Sequence, residues 1–210
     1  MRLEAAPELQ TFDAIGRGLE LDGYCVLENA LPEGLCAALL QRARKTVADF
    51  RPARVGRDLR RRRRPAIRSD RIRWLSPDDP VEARWLGWMQ DLRLHLNRHQ
   101  FLGLFHFESH FACYPPGARY LRHRDSFKGA ANRVLSCVVY LNEDWTPEQG
   151  GELVIYAEDD RTLVQVLPCF ATLVVFLSED FPHEVLPAKR ERFSVTGWFR
   201  VNDLLPSGIE

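Results

Sequence analysis

The chain has no unbroken apolar stretch of the roughly 18 or more residues that a membrane span requires, so insertion into a membrane is not expected. It has no net charge either. Lysine plus arginine and aspartate plus glutamate stand at 29 each, which removes any whole-chain argument for nucleic acid or an anionic membrane as partner. Residues Met1 to Gln10 contain one arginine, two glutamates and no apolar core, so no secretory signal is read there and a cytoplasmic location is expected. Paired cysteines are lacking too. The five present (Cys25, Cys36, Cys113, Cys137, Cys169) are odd in number and show no CxxC spacing, which argues against a disulfide framework and for free thiols in a reducing compartment. No internal repeat is found, and the only biased tract is Arg60 to Arg64.

What remains is an ordinary globular composition, 45% hydrophobic and 28% charged over 210 residues, enough for one domain with an internal cavity. The first part reads as helical with one strand. Leu19-Glu20-Leu21 leads through Gly23 into the apolar run Tyr24 to Leu27. Pro32 opens a helix carrying Leu35, Leu39, Leu40 and Ala43, and a second helix follows Pro80 with Trp85, Met89, Leu92 and Leu96 on one stripe. Between these, around 51 to 66, the pattern breaks. The five arginines there cannot enter a core, so an exposed, mobile loop is expected.

From residue 105 onward the pattern becomes short β-type runs divided by turn signals such as Pro115-Pro116-Gly117 and Gln149-Gly150-Gly151. The runs cover 107–114, 133–141, 152–156, 163–167, 172–177, 183–186 and 192–201. The expectation is an α+β protein forming one catalytic domain over 1–210: helical support over 1–104, an antiparallel barrel over 105–201 and a tail over 202–210.

His123-Arg124-Asp125 is the unit that carries chemistry. Residues i and i+2 of an extended chain share a face, so an imidazole and a carboxylate are offered side by side. His183, at the start of a late strand after Asp180-Phe181-Pro182, can supply a third ligand. Two histidines and one carboxylate on one face of an octahedron leave three positions open, the arrangement of non-haem iron(II) oxygenases, where a chelating 2-oxo acid takes two and dioxygen the third. An HxD tripeptide alone also arises as surface or turn chemistry. His95, His99, His106 and His110 lack such a partner pattern and read as helix, strand or loop residues.

Past the turn at Pro187, period 2 places Arg192, Ser194, Thr196 and Trp198 on one face and Phe193, Val195 and Phe199 on the other. A guanidinium facing into a barrel needs an anion, and the distal carboxylate of a dicarboxylic acid matches its fork. A salt bridge to a nearby acid is the alternative. Tyr140 could bond the same carboxylate and Tyr114 could serve the metal-proximal end, or either could be a packed core residue with its hydroxyl satisfied.

The segments Phe111-Ala112-Cys113-Tyr114-Pro115, Tyr120-Leu121-Arg122-His123-Arg124-Asp125, Val139-Tyr140-Leu141-Asn142-Glu143-Asp144-Trp145, Gly150-Gly151-Glu152-Leu153, and Pro182-His183-Glu184-Val185 with Arg192 to Trp198 resemble the prolyl 4-hydroxylase superfamily. The likeness is nearest to the Egl-nine-type, oxygen-sensing prolyl hydroxylase domains and their bacterial relatives, and Ile67 to Trp74 resembles the segment after that family's finger loop. It implies a double-stranded β-helix that hydroxylates a prolyl residue of a protein, using iron(II), 2-oxoglutarate and dioxygen, with succinate and carbon dioxide released and ascorbate as a reductant. It further implies that His123, Asp125 and His183 hold the iron, that Arg192 and Tyr140 bind the distal carboxylate, that Tyr114 lies near the chelating end and that Thr196 lines the pocket. Arg133, Arg68 and Asp70 match residues near the substrate. The arginine run departs from the family pattern and leaves an acidic or nucleic-acid-associated substrate open beside a solvated loop. Two other readings keep the fold: an oxygenase acting on a small molecule or free amino acid, and a non-catalytic barrel that only binds.

Overall fold

A computed structural model describes residues 7–54, 64–126 and 132–201. Among the described residues, three α-helices, α1 (Pro7–Leu21), α2 (Leu35–Lys45) and α3 (Pro80–Gln100), flank eleven strands. These are β1 (Tyr24–Leu27), β2 (Arg51–Pro52), β3 (Arg71–Trp74), β4 (His106–Tyr114), β5 (Tyr120–His123), β6 (Arg133–Tyr140), β7 (Leu153–Tyr156), β8 (Thr162–Val166), β9 (Leu173–Leu177), β10 (His183–Val185) and β11 (Arg192–Arg200). A seven-stranded sheet runs β1-β9-β6-β11-β4-β3-β2 and faces a four-stranded sheet, β5-β10-β7-β8. This is the double-stranded β-helix. No helix among the described residues is long and apolar enough to cross a membrane.

Strict alternation in the large sheet explains both the helices and the cavity. Phe111 and Cys113 of β4, Leu135, Cys137 and Val139 of β6, Leu173 and Val175 of β9, and Phe193, Val195 and Phe199 of β11 pack in one cluster with the buried stripes of the helices. Their neighbours one residue away, including Ala112, Tyr114, Tyr140, Val174 and Phe176, face the small sheet in a second cluster. Because the side-chain period is 2, a slip of one residue would exchange the two sets, so burial on both faces pins the register.

The α3 stripe is as expected, with Trp85, Met89, Leu92 and Leu96 each 0% exposed. Asp79 caps this helix, its carboxylate accepting from the amides of Val81 and Glu82 at 3.0 and 3.1 Å, and Pro80 follows where an N–H has no partner to lose. Buried Glu82 accepts from Arg42 of α2 at 2.7 Å and from Arg73 of β3, fastening the helical layer to the sheet.

Two expectations about the scaffold need correction, the opening of a helix at Pro32 and the start of the irregular segment at 51. Leu19 to Leu21 complete α1, whose Phe12, Ile15 and Leu19 lie at helical spacing and are all buried, and the chain passes through Gly23 into β1 as expected. The next helix opens at Leu35, not Pro32, since Gly34 takes the left-handed conformation (φ 73°) that ends a turn. The irregular segment does not begin at 51: Arg51–Pro52 pair with β3 and Ala53 is buried, so β2 and β3 join the expected strand β1 in adding to the large sheet from within the helical support. Residues 55–63, which include Arg60 to Arg63, lie outside the described residues, as does the tail 202–210.

Candidate active site

His123 ends β5 and His183 opens β10, and the two are directly opposed across the antiparallel pair. Asp125 follows two residues later in a bend after the strand, not within it as expected. One ligand atom from each of the three lies within 4.8 Å of the others. His123 Nε2 stands 3.6 Å from Asp125 Oδ1, and His183 Nε2 stands 3.5 Å from Oδ2.

Backbone carbonyls set the tautomers. The Leu121 carbonyl accepts from His123 Nδ1–H at 2.8 Å and the Phe181 carbonyl accepts from His183 Nδ1–H at 3.0 Å, which leaves both Nε2 lone pairs facing the carboxylate. A metal needs this arrangement, neutral imidazoles oriented through their outer nitrogen. Rings hold the same poses: Tyr120 stacks on His123 at 3.5 Å and 17°, and Phe176 meets His183 edge-on at 4.8 Å. Burial, with His123 beside it, lowers His183 to about 4. Burial alone would raise the Asp125 carboxyl, but His183 and His123 outweigh it and hold it well below the usual carboxylate range. The group offers one carboxylate and two imidazole nitrogens, the composition that suits iron(II).

Arg192 lies in the same cavity, as do Ser194, Thr196 and Trp198 on the inward face of β11. It is 2% exposed, and among the described residues no carboxylate pairs with it. Its guanidinium sits over the rings of Tyr114 (4.9 Å) and Tyr140 (4.8 Å). Arg192 Nε, the Tyr140 hydroxyl, Ser194 Oγ and Trp198 Nε1 are buried without a hydrogen-bond partner. Burial pushes the Tyr140 phenol up to about 12 and raises Tyr114 further still, so both stay protonated. Several buried donors converging without acceptors fit a carboxylate-bearing ligand, and argue against the alternative of an internal salt bridge for Arg192.

The less secure residues sit around this cavity. Arg68 lines it, donating to Asp70 at 2.7 and 2.9 Å and lying 4.7 Å over the Tyr120 ring. Asp70 is 1% exposed, so the pair is held rigidly rather than displayed. Arg133 donates to Glu108 at 3.0 and 2.6 Å and covers Trp198 at 3.8 Å, beside the cavity rather than in its lining. His110, expected to have no part in the site, lines the cavity and meets Trp74 and Trp198 edge to face, at 87° and 60°. The signal for it was parity: His110 shares the inward face of β4 with Ala112 and Tyr114. A separate open cleft between α1 and α3, lined by Asp13, His95 and His99, shares no residue with this cavity.

Burial also lowers His110 to about 4, with Arg68 adding to the shift. His110 and His183 are therefore neutral when folded, and the unfolded chain binds their protons first. Their contribution to stability is complete above the ordinary histidine value near 6.5 and falls away as pH drops toward 4, by roughly 1.4 kcal/mol per pH unit for each. Urea unfolding of the metal-free protein between pH 7 and pH 5 should show the midpoint falling, and His110→Asn should flatten that slope. An equal slope in the variant would refute the assignment to His110.

A double-stranded β-helix with two histidines, one carboxylate and a buried cavity-facing arginine defines the class of 2-oxo-acid-dependent, non-haem iron oxygenases. A family model described as the 2OG-Fe(II) oxygenase superfamily matches residues 109–200. Egl nine homolog 1 from Homo sapiens is 34% identical over 143 residues, covering 63% of this chain and 33% of the relative, so the chain spans about a third of that protein's length. A solved prolyl-4-hydroxylase from Pseudomonas putida has a TM-score of 0.82 and 42% identity, covering 91% of this chain and 99% of that one. A prolyl hydroxylase from Trichoplax adhaerens, solved with a peptide fragment of the hypoxia inducible factor oxygen degradation domain, has a TM-score of 0.81 and 27% identity, covering 92% and 90%. The chain belongs to the prolyl hydroxylases of the 2OG-Fe(II) oxygenase superfamily. Membership implies iron(II), 2-oxoglutarate and dioxygen as metal, co-substrate and oxidant.

Proposed function

We propose that the protein is a 2-oxoglutarate-dependent dioxygenase that hydroxylates a prolyl residue in a protein substrate. The observation that carries this reading is the buried Arg192 beside the His123, Asp125, His183 group, inside a fold shared at 42% identity with a prolyl-4-hydroxylase. In this reading His123, Asp125 and His183 hold the iron, whose chemistry when bound is to couple oxidative decarboxylation of 2-oxoglutarate to insertion of one oxygen atom into a substrate C–H bond.

The chain's own side chains position and exclude. Arg192 offers two parallel N–H groups to the distal carboxylate, and the protonated Tyr140 phenol adds a third donor from β6. Tyr114, opposite Arg192 across the β4–β11 pair, covers the guanidinium, while Thr196 and Trp198 close the wall on the β11 side. Arg68, locked in place by buried Asp70, presents a fixed edge of the cavity to the entering chain, and Arg133 holds the Trp198 ring in place. Trp74, 36% exposed and in contact with His110, provides apolar surface where a prolyl ring can pack.

A protein substrate is supported by the peptide bound to the Trichoplax adhaerens enzyme. Four of the five cysteines are buried and all are free, which fits a reducing compartment and a cytoplasmic location; ascorbate as reductant belongs to the same proposal. Hydroxylation of a small molecule would keep the same metal and co-substrate residues and change only the entrance. The deciding experiment incubates the protein, with iron(II) and 2-oxoglutarate, in a host proteome and maps peptides by mass spectrometry. Prolyl peptides heavier by one oxygen atom, absent when 2-oxoglutarate is withheld, are expected; succinate formation without any modified peptide would favour the small-molecule reading.

A further inference from the structure

Two sets of contacts join the segment before His183 to the segment carrying His123 and Asp125, and neither belongs to the ligand set. On the outer side lies Arg124, the middle residue of the tripeptide. Its Nη1 donates to the Glu179 carbonyl at 2.7 Å and to the Asp180 carbonyl at 2.8 Å, and its Nη2 reaches Glu158 Oε2 at 3.3 Å. On the inner side, Ser136 Oγ of β6 donates to Asp125 Oδ2 at 2.7 Å, and Ser178 Oγ lies 2.9 Å from Ser136 Oγ. Both serines are 0% exposed. Ser136 has one proton, and the carboxylate, an acceptor only, takes it; Ser178 must therefore donate to Ser136. The order is Ser178 to Ser136 to Asp125, and a chain of bonds ending on an anion strengthens along its length.

The residues fastened in this way run from Ser178 through Asp180 and lead directly into His183. β5 and β10, which carry the histidines, are short and their pairing is interrupted after His183. So little sheet cannot by itself hold a carboxylate in a bend at a set distance from a histidine on another strand. We propose that Arg124 and the Ser178–Ser136 hydroxyl pair are positioning residues, a two-sided clamp that presets the separation of Asp125 and His183 before metal arrives. The clamp spares the metal the cost of ordering two segments, and Ser136 settles which way the Asp125 carboxylate turns. This inference rests on the reading of His123, Asp125 and His183 as the metal ligands.

The test measures Mn(II) affinity by electron paramagnetic resonance on the whole protein without 2-oxoglutarate, so the readout is independent of turnover. Ser136→Ala is expected to weaken Mn(II) binding by roughly 10–100-fold, the range that loss of an outer partner costs, and Ser136→Thr, which keeps the hydroxyl, to restore it. Adding Ser178→Ala to Ser136→Ala should cost nothing more, because Ser178 acts through the hydroxyl already lost. Arg124→Ala should weaken binding by about tenfold and Arg124→Lys by less, and this solvent-side pair carries the test should Ser136→Ala not fold. Variants that fold, melt at lower temperature and still bind Mn(II) as the wild type does would show a merely structural role and overturn the clamp. Wild-type protein that binds no Mn(II) would overturn the ligand reading and the clamp with it.

Discussion

Replacing Arg192 by methionine is expected to raise the dissociation constant for 2-oxoglutarate by on the order of a hundredfold or more, while metal binding stays in place. Each charge-assisted hydrogen bond is worth about 1.5–3 kcal/mol, and a bidentate anchor loses two at once. The same substitution should make the ligand-free protein more stable. Arg192 is 2% exposed, among the described residues its Nε has no hydrogen-bond partner and no carboxylate pairs with it, and its guanidinium lies over the two tyrosine rings. A buried cation with that little compensation is costly, and methionine fills similar length without the charge. Two measurements check the pair of effects: isothermal titration of 2-oxoglutarate into metal-loaded protein, and urea unfolding without ligand. Unchanged co-substrate affinity in Arg192→Met would remove this residue from the binding site, whatever the stability does. In the wild type, 2-oxoglutarate should add stability that the variant does not gain, because only a ligand that binds the folded state shifts its unfolding.

The other large effect concerns the metal group itself. Asp125→Ala and His183→Ala should each abolish the weak visible absorption band that forms when iron(II) and 2-oxoglutarate are mixed anaerobically with the protein. The loss of metal affinity should exceed the roughly 10–100-fold attributed to an outer hydrogen bond, which separates a ligand from a positioning residue such as Ser136. Asp125→Ala also leaves the Ser136 hydroxyl without its carboxylate acceptor, a burial cost of about 1–3 kcal/mol, so the variant's circular dichroism and unfolding midpoint must accompany the spectrum. A band of wild-type intensity in either variant would show that the residue does not ligate the metal.

Much of this architecture is legible in the chain because its strands obey a period of 2 with both faces buried. The parity of Arg192, Ser194, Thr196 and Trp198 against Phe193, Val195 and Phe199 reappears as the division between cavity and helix-facing core. Seven β-type runs read from local pattern coincide with β4, β6, β7, β8, β9, β10 and β11 to within a residue or two at their ends. The strands not anticipated, β2, β3 and β5, are two to four residues long. They are strands because a neighbour accepts their backbone, as β4 does for β3, and a partner distant in sequence leaves no local trace.

The candidate site divides along the same line. His123, Asp125, His183 and Arg192 could be picked out because their residue types are chemically rare in such a pattern, and the family resemblance linked them. Ser136 and Arg124 carry no such signal. Ser136 is like Ser109 and Ser194, a serine within an apolar strand, until β6 sets it against Asp125, and Arg124 reads as a spacer until the chain returns to place the carbonyls of Glu179 and Asp180 within its reach. Parity on β4 turns His110 inward, but Trp74 and Trp198, 36 and 88 residues away, are what close around it. The sequence by itself determined which faces are buried and which side chains have the chemistry to bind a metal and a dicarboxylate, since both follow from residue type and short-range periodicity. Only the tertiary structure decided what fastens those side chains to one another, because a hydrogen bond between residues 42 or 55 positions apart depends on how the sheets close and not on either residue alone.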